Sequence, residues 1–177
     1  MAIPQRYAPP SNITASSRTF FVTSSIGDKR SLLQSSRAAD LLIEVLESYR
    51  QQGKFRLHEF VIMPDHFHLL LTVDRDLSIE RAVQFIKGGF AYRAGKELGF
   101  HAPVWQKGFS EVRVWDASTF AKYRAYIWNN PVARGLARVA QEFPFSSAAA
   151  RVALDTPPQG LKPESLEVSC GMAKAIP

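Results

Sequence analysis

The stretch MPDHFHLLLTVD (63–74) constrains this chain more than any other. It reads as an apolar strand entered from a Met-Pro-Asp turn. Strand side chains alternate between faces, so His66, His68, Leu70 and Thr72 share one side of a sheet, and Phe67, Leu69, Leu71 and Val73 the other. The second set is a core face. The first is half polar, and its two imidazoles need a partner or a task.

The flanking segments supply the rest of a sheet. RTFFVTS (18–24) groups β-formers into a first strand. AADLLIEVLESYRQQG (38–53) is an amphipathic helix, with Leu41, Leu42, Val45, Leu46 and Tyr49 on one stripe and Gly53 at its stop. KFRLHEFVIM (54–63) is a second strand: strict alternation puts Phe55, Leu57, Val61 and Met63 on one face, and Arg56, His58, Phe60 and Ile62 on the other. A β-hairpin into residues 66–74 follows.

SIERAVQFIKGGFAYRAGKELG (78–99) forms a second helix, capped by Ser78 and buried along Ile79, Ala82, Val83, Ile86 and Phe90. Its Gly88-Gly89 pair marks a kink or a close approach. PVWQKGFSEVRVW (103–115) supplies a fourth strand, and DASTFAKYRAYIWNN (116–130) a third helix that Pro131 should stop. The order β-α-β-β-α-β-α predicts an α+β fold: a ferredoxin-like antiparallel sheet (βαββαβ) with an additional C-terminal helix. The first two helices cover one sheet face, leaving the third to cover the histidine face. Residues 18–150 form the domain, residues 1–17 a flexible arm and 151–177 a flexible tail.

Composition narrows the partners. A net charge of +6 favours an anionic one. Cys170 is the single cysteine, which excludes a disulfide framework and a Cys-rich zinc site. No apolar run reaches the length of a membrane span and no signal-peptide core opens the chain, so the expectation is a soluble, cytoplasmic protein.

Two imidazoles at i and i+2 can converge on one metal ion, or they can be partly buried histidines satisfied by neighbours. Two ligands fall short of a site that keeps a position open for substrate. His58 is an unforced neighbour, and His101 sits in a loop without an assigned partner. On the third helix, Lys122, Tyr126 and Asn130 are spaced by four and share a face. Tyrosine, amide and lysine opposite a histidine pair form a set suited to phosphodiester chemistry: metal to withdraw charge, phenol to attack phosphorus, lysine to balance anionic charge. A free phenol ionises near pH ~10, so activation would have to come from the metal and nearby cations. Cations interleaved with aromatics suit single-stranded DNA. FIKGGFAYR offers Lys87, Tyr92 and Arg93, and WQKGFSEVR offers Trp105, Lys107 and Arg113. The alternative for these is a solvated basic face with core aromatics.

At this point the residues match a family. MPDHFHLLL resembles the His-hydrophobe-His (HUH) motif of the single-tyrosine HUH transposases. YIWNNPVARGLA followed by EFPFSS is similar to the tyrosine helix and C-terminal signature of their REP-associated branch. FFVTS, FIKGGF and VWQKGF fall in the family's order, and the resemblance spans roughly residues 18 to 150. It implies a ferredoxin-like enzyme that cuts and rejoins single-stranded DNA near hairpin-forming repeats, through a 5′-phosphotyrosine link and a free 3′-hydroxyl. It makes Tyr126 the nucleophile and His66 and His68 metal ligands, with Asn130 where the family places a polar third ligand. Nitrogen ligands plus an amide oxygen suit Mn²⁺ at least as well as Mg²⁺. Trp128 stands where relatives carry His or another polar residue, and packing is the expected role. The implied setting is the bacterial nucleoid, as monomer or homodimer. The competing readings are a non-catalytic nucleic-acid-binding module, and a metal-dependent hydrolase that would not need Tyr126.

Overall fold

A computed structural model describes residues 17–158 and residue 161. The expected arm and the region of Cys170 therefore lie outside the described residues, apart from Ser17, which begins the first strand.

Four strands, β1 (Ser17–Ser25), β2 (Arg56–Ile62), β3 (His66–Asp74) and β4 (Ser110–Val114), form one antiparallel sheet in the order β2-β3-β1-β4. Helices α1 (Ser36–Gln51) and α2 (Ile79–Leu98) make the two crossovers, and α3 (Ala117–Ala133) follows β4. This is the expected split β-α-β arrangement, with β3 between β1 and β2. Phe67, Leu69, Leu71 and Val73 of β3 are buried with Phe20 and Val22 of β1, Leu42 and Leu46 of α1, and Ile86 and Phe90 of α2. A second, smaller cluster lies on the opposite face, where Phe120 and Ile127 of α3 meet Phe21, Val61, Met63 and Leu70.

Ser35 caps α1, Ser78 caps α2 and Asp116 caps α3, each accepting a hydrogen bond from the backbone N–H three residues on. Gly89 is a close approach, since a Cβ there would lie 2.7 Å from the Tyr49 ring and 3.2 Å from Val45. The α2 helix runs through it without a break.

Three expectations are corrected. The fourth strand is not continuous from 103: Trp105 bridges Ile26, Gly108 turns at φ 78°, and regular pairing with β1 begins at Ser110. Gly108 supplies a left-handed conformation that the other residues of that strand could adopt only with strain. The third helix does not stop at Pro131 but continues to Ala133. Proline's fixed φ is compatible with a helix, and its cost is one absent donor near an end already short of partners.

The third correction concerns β2, where the ladder passes from Leu57↔Leu71 directly to Glu59↔Leu70. His58 is the extra residue of this β-bulge, and one inserted residue exchanges the faces across it. Leu57, Phe60 and Ile62 therefore join the α1/α2 core, whereas Val61 and Met63 lie on the α3 side, separated from Leu57. His58 also turns to the α3 side, with its ring 5.7 Å from that of Phe120.

The free edge of β2 is covered by the chain beyond α3. Ile62 N–H donates to Phe145 O, Val61 bridges Ser146, and Asp155 N–H donates to Leu57 O. Asp155 also accepts from Leu57 N–H and pairs with Arg50 through both carboxylate oxygens at 2.7 and 2.9 Å. The segment after 150 is thus tied to the sheet at least as far as Asp155, filling an edge that would otherwise present unpaired backbone.

Candidate active site on the α3 face

The turn before β3 is pinned by the loop after β1: Leu33 N–H donates to Pro64 O and Ile26 N–H to Asp65 O. This fixes Asp65, whose Oδ1 lies 2.6 Å from His66 Nδ1. A carboxylate only accepts, so Nδ1 carries a proton towards Asp65, and in the neutral ring Nε2 keeps its lone pair. Burial raises the Asp65 pKa, but the hydrogen bond and charge of His66 outweigh it and leave Asp65 below its ordinary value.

His68 Nδ1 lies 2.7 Å from Thr23 Oγ1, its register partner on β1. The His68 Nε2 is buried with no hydrogen-bond partner among the described residues, and it is an acceptor in the tautomer whose Nδ1–H donates to Thr23 Oγ1. Burial, reinforced by the charges of His66 and Arg134, pushes its pKa down to about 3, so the ring is neutral around pH 7. The two imidazoles are edge to face, 4.8 Å between centroids.

Across from them, α3 presents Tyr126 and Asn130. Tyr123 stacks on Phe21 at 4.2 Å, and Phe120 and Ile127 are buried beneath the helix, which sets its rotation. Tyr126 then falls with its ring 5.2 Å from that of His68 and 5.8 Å from that of Phe21, while staying 49% exposed. Asn130 is buried, and its Oδ1 has no hydrogen-bond partner among the described residues. Tyr126, Asn130 and Arg134 line an open pocket of about 600 Å³ together with Ala125, Asn129 and Ala133.

Trp128 packs, as expected, and does more. Its Nε1 donates to buried Glu59 at 2.8 Å, and Ser147 Oγ donates to the same carboxylate at 2.6 Å. Glu59 thereby ties α3, β2 and the FSS segment into one unit. His58 is not free to bind a metal. Its Nδ1 donates to Asp155 O (3.2 Å), and its Nε2 accepts from Thr72 Oγ1 (2.8 Å).

Two buried acceptors without partners, one imidazole nitrogen and one amide oxygen, fit the donor set that a divalent cation of Mn²⁺ or Mg²⁺ type would take. Among the described residues no group of three His, Cys, Asp or Glu side chains gathers for a metal.

The candidate DNA-binding residues are scattered rather than gathered at this pocket. Lys87 donates to the carbonyls of Gln106 and Gly108, and burial lowers its pKa. Trp105 donates to Lys87 O and packs against Phe67 and Phe90. Arg93 pairs with Glu97 and with Glu44 of α1. Arg113, lowered to about 10 by burial, lies over Trp115 and Phe20. Tyr92 is exposed on α2 beneath Lys96, and Lys107 is exposed in its loop. Lys122 alone lies on α3 beside the site, and it is exposed. Sequence reasoning passed over Asp65, Thr23, Glu59 and Arg134. An acid next to the first histidine was a readable signal for Asp65, and a spacing of four from Asn130 was one for Arg134. Thr23 and Glu59 needed the strand register.

A tyrosine helix packed across an HFH strand of a split β-α-β sheet defines a transposase-type domain. The same fold occurs in a solved REP-associated tyrosine transposase bound to a REP hairpin, with TM-score 0.68, 22% identity, and coverage of 92% of this chain and 98% of that one. Residues 20–130 match the family described as "Transposase IS200 like", and the chain belongs to that family of DNA-processing enzymes. Similar proteins include a REP-associated tyrosine transposase of Escherichia coli, 24% identical over 130 residues that cover 73% of this chain and 75% of that protein. A Haemophilus influenzae protein bearing the same name with a provisional qualifier is 28% identical over 125 residues, 63% of this chain and 71% of its own length. No helix among the described residues is long and apolar enough to cross a membrane.

Proposed function

We propose that this chain is a metal-dependent single-stranded DNA strand transferase that cleaves and rejoins DNA near hairpin-forming repeats through Tyr126. The observation that carries the reading is the pair of buried, unpartnered acceptors, His68 Nε2 and Asn130 Oδ1, beside an exposed phenol on the same face. A binding module needs none of that set. Likeness to a transposase bound to a REP hairpin supports hairpin DNA as the substrate class.

His66, His68 and Asn130 would hold a divalent cation, with Asp65 orienting His66 from behind. A bound cation would supply Lewis-acid withdrawal of charge from the phosphate. Tyr126 Oη attacks phosphorus, the P–O3′ bond breaks, and the phenolic proton leaves to solvent while the 3′ oxygen takes one up. The products are a free 3′-hydroxyl and a 5′-phosphotyrosine ester. Rejoining is the reverse attack by a 3′-hydroxyl.

The test is incubation of end-labelled hairpin oligonucleotides with wild type and Tyr126→Phe, in Mn²⁺, in Mg²⁺ and with chelator. A covalent adduct that requires both Tyr126 and metal is expected. DNA binding without adduct would favour the non-catalytic module, and cleavage that survives Tyr126→Phe would favour a metal-activated water.

A further inference from the structure

Tyr126, Asn130 and Arg134 are spaced by four along α3 and its C-cap, and all three line the same pocket. The strand-transfer reading uses the first two and leaves Arg134 without a role. Other arginines of the molecule are occupied: Arg50 by Asp155, Arg56 by Asp74, Arg93 by Glu44 and Glu97, Arg138 by Glu142. Arg134 makes no side-chain hydrogen bond or ion pair with a described residue, and it lines the pocket beside Tyr126 and Asn130.

The pocket otherwise repels an anion. It sits at the C-terminal end of α3, where the helix dipole is negative. A DNA phosphate entering there needs a cation on the helix side as well as whatever His66 and His68 hold. A guanidinium fits, since its planar fork matches two phosphate oxygens at once and stays charged when partly desolvated.

We propose that Arg134 is the phosphate-binding cation of this site, donating to the non-bridging oxygens of the phosphate that Tyr126 attacks. The inference rests on the strand-transfer reading for the identity of that phosphate. The contact strengthens as negative charge builds on those oxygens during attack, and it holds the phosphotyrosine ester in place for rejoining. Lys122, one turn before Tyr126 on the other side, is the cation sequence spacing suggested; Arg134 has the pocket-lining position that Lys122 lacks.

The experiment pairs two readouts on Arg134→Ala, Arg134→Lys and Arg138→Ala, the last removing an equal charge four residues further along the chain, beyond the helix. Adduct formation at saturating oligonucleotide should slow by about 10- to 100-fold in Arg134→Ala. It should recover in part in Arg134→Lys and stay at the wild-type rate in Arg138→Ala. In a Tyr126→Phe background, the slope of log affinity against log salt for single-stranded oligonucleotide should fall by roughly 0.7 when Arg134 is removed. Adduct formation at the wild-type rate in Arg134→Ala overturns the inference and leaves the strand-transfer reading standing. Equal losses in Arg134→Ala and Arg138→Ala overturn it too, by reducing the effect to net charge. If wild type forms no adduct while Arg134→Ala alone lowers the salt slope, the phosphate contact stands and the strand-transfer reading falls. If neither readout moves, Arg134 does not touch the phosphate.

Discussion

The two faces of the sheet carry opposite kinds of chemistry from the same strands. Under α1 and α2, β3 contributes Phe67, Leu69, Leu71 and Val73 to a continuous apolar core. Under α3, the intervening residues of the same strand are His66, His68, Leu70 and Thr72, and their neighbours include His58, Glu59, Thr23 and Asn130. Most polar groups on that face are satisfied: Thr19 bonds Thr72, Thr72 bonds His58, and Trp128 and Ser147 bond Glu59. His68 Nε2 and Asn130 Oδ1 stand out because they are not. One face is built on the larger apolar core, and the other gathers two buried unpaired atoms beside an exposed phenol. That is an arrangement expected where a ligand completes the site.

Substitutions on opposite faces of the sheet should separate the two most sharply. Leu69→Ala is expected to destabilise the protein by about 2–5 kcal/mol in denaturant titration, with adduct formation per folded molecule unchanged. Tyr126→Phe should abolish adduct formation while leaving stability within about 0.5 kcal/mol of wild type, because the phenol is half exposed. A loss of stability in the second variant, or of chemistry alone in the first, would blur the division.

A smaller effect probes the layer behind the histidines. Asp65→Asn should weaken Mn²⁺ binding by roughly 10- to 100-fold in calorimetry, as loss of a carboxylate behind a metal-bound imidazole does elsewhere. His68→Ala should remove the site's binding signal altogether. Equal Mn²⁺ binding in wild type and His68→Ala would place any metal away from this face.

The apolar side has its own paired test at about 1 kcal/mol. A Cβ at Gly88 meets nothing within 4 Å, so Gly88→Ala should gain up to about 1 kcal/mol of helix propensity. At Gly89 the Cβ would press on the Tyr49 ring, and Gly89→Ala should destabilise by about 1–3 kcal/mol despite the same propensity gain. Opposite signs in thermal melts would establish that α1 and α2 pack through this glycine.

The smallest effect is a pH slope from the polar side. Burial lowers the His58 pKa below 6.5, so the unfolded chain binds more protons there than the folded protein does. His58's contribution is therefore complete above about pH 6.5 and is lost as pH falls towards the folded value. Asp155, held down chiefly by its hydrogen bond from Arg50, adds a similar loss only below its ordinary value of 3.8. Melting temperature should decline from pH 7 to 5, with His68 contributing in the same direction, so His58→Asn should reduce that decline without removing it.

How much of this was legible depended on whether the signal was local. The β3 range, the facing of its histidines, the Ser78 cap and the stripe of Phe120, Tyr123 and Ile127 all follow from residues close in sequence. The faces of β2 did not, because the bulge at His58 is set by pairing with β3 and leaves no mark in its own alternation. Helix α3 ran past Pro131 because tertiary packing outweighed one missing donor. Half of the Arg93 pairing is local, with Glu97 at i+4, and half is not, since Glu44 lies 49 residues away. Likewise nothing around Asp155 announces that Arg50 and Leu57 await it.

The most direct measurement is the identity of the residue that carries DNA. Wild type incubated with hairpin oligonucleotide and Mn²⁺ would be digested with trypsin and nuclease, and the nucleotide-bearing peptide sequenced by mass spectrometry. The account predicts a nucleotide 5′-phosphate on Tyr126, across from His68 on the α3 face. Modification of Tyr92, which is 62% exposed on the helix of the apolar side, or of any residue other than Tyr126, would contradict it.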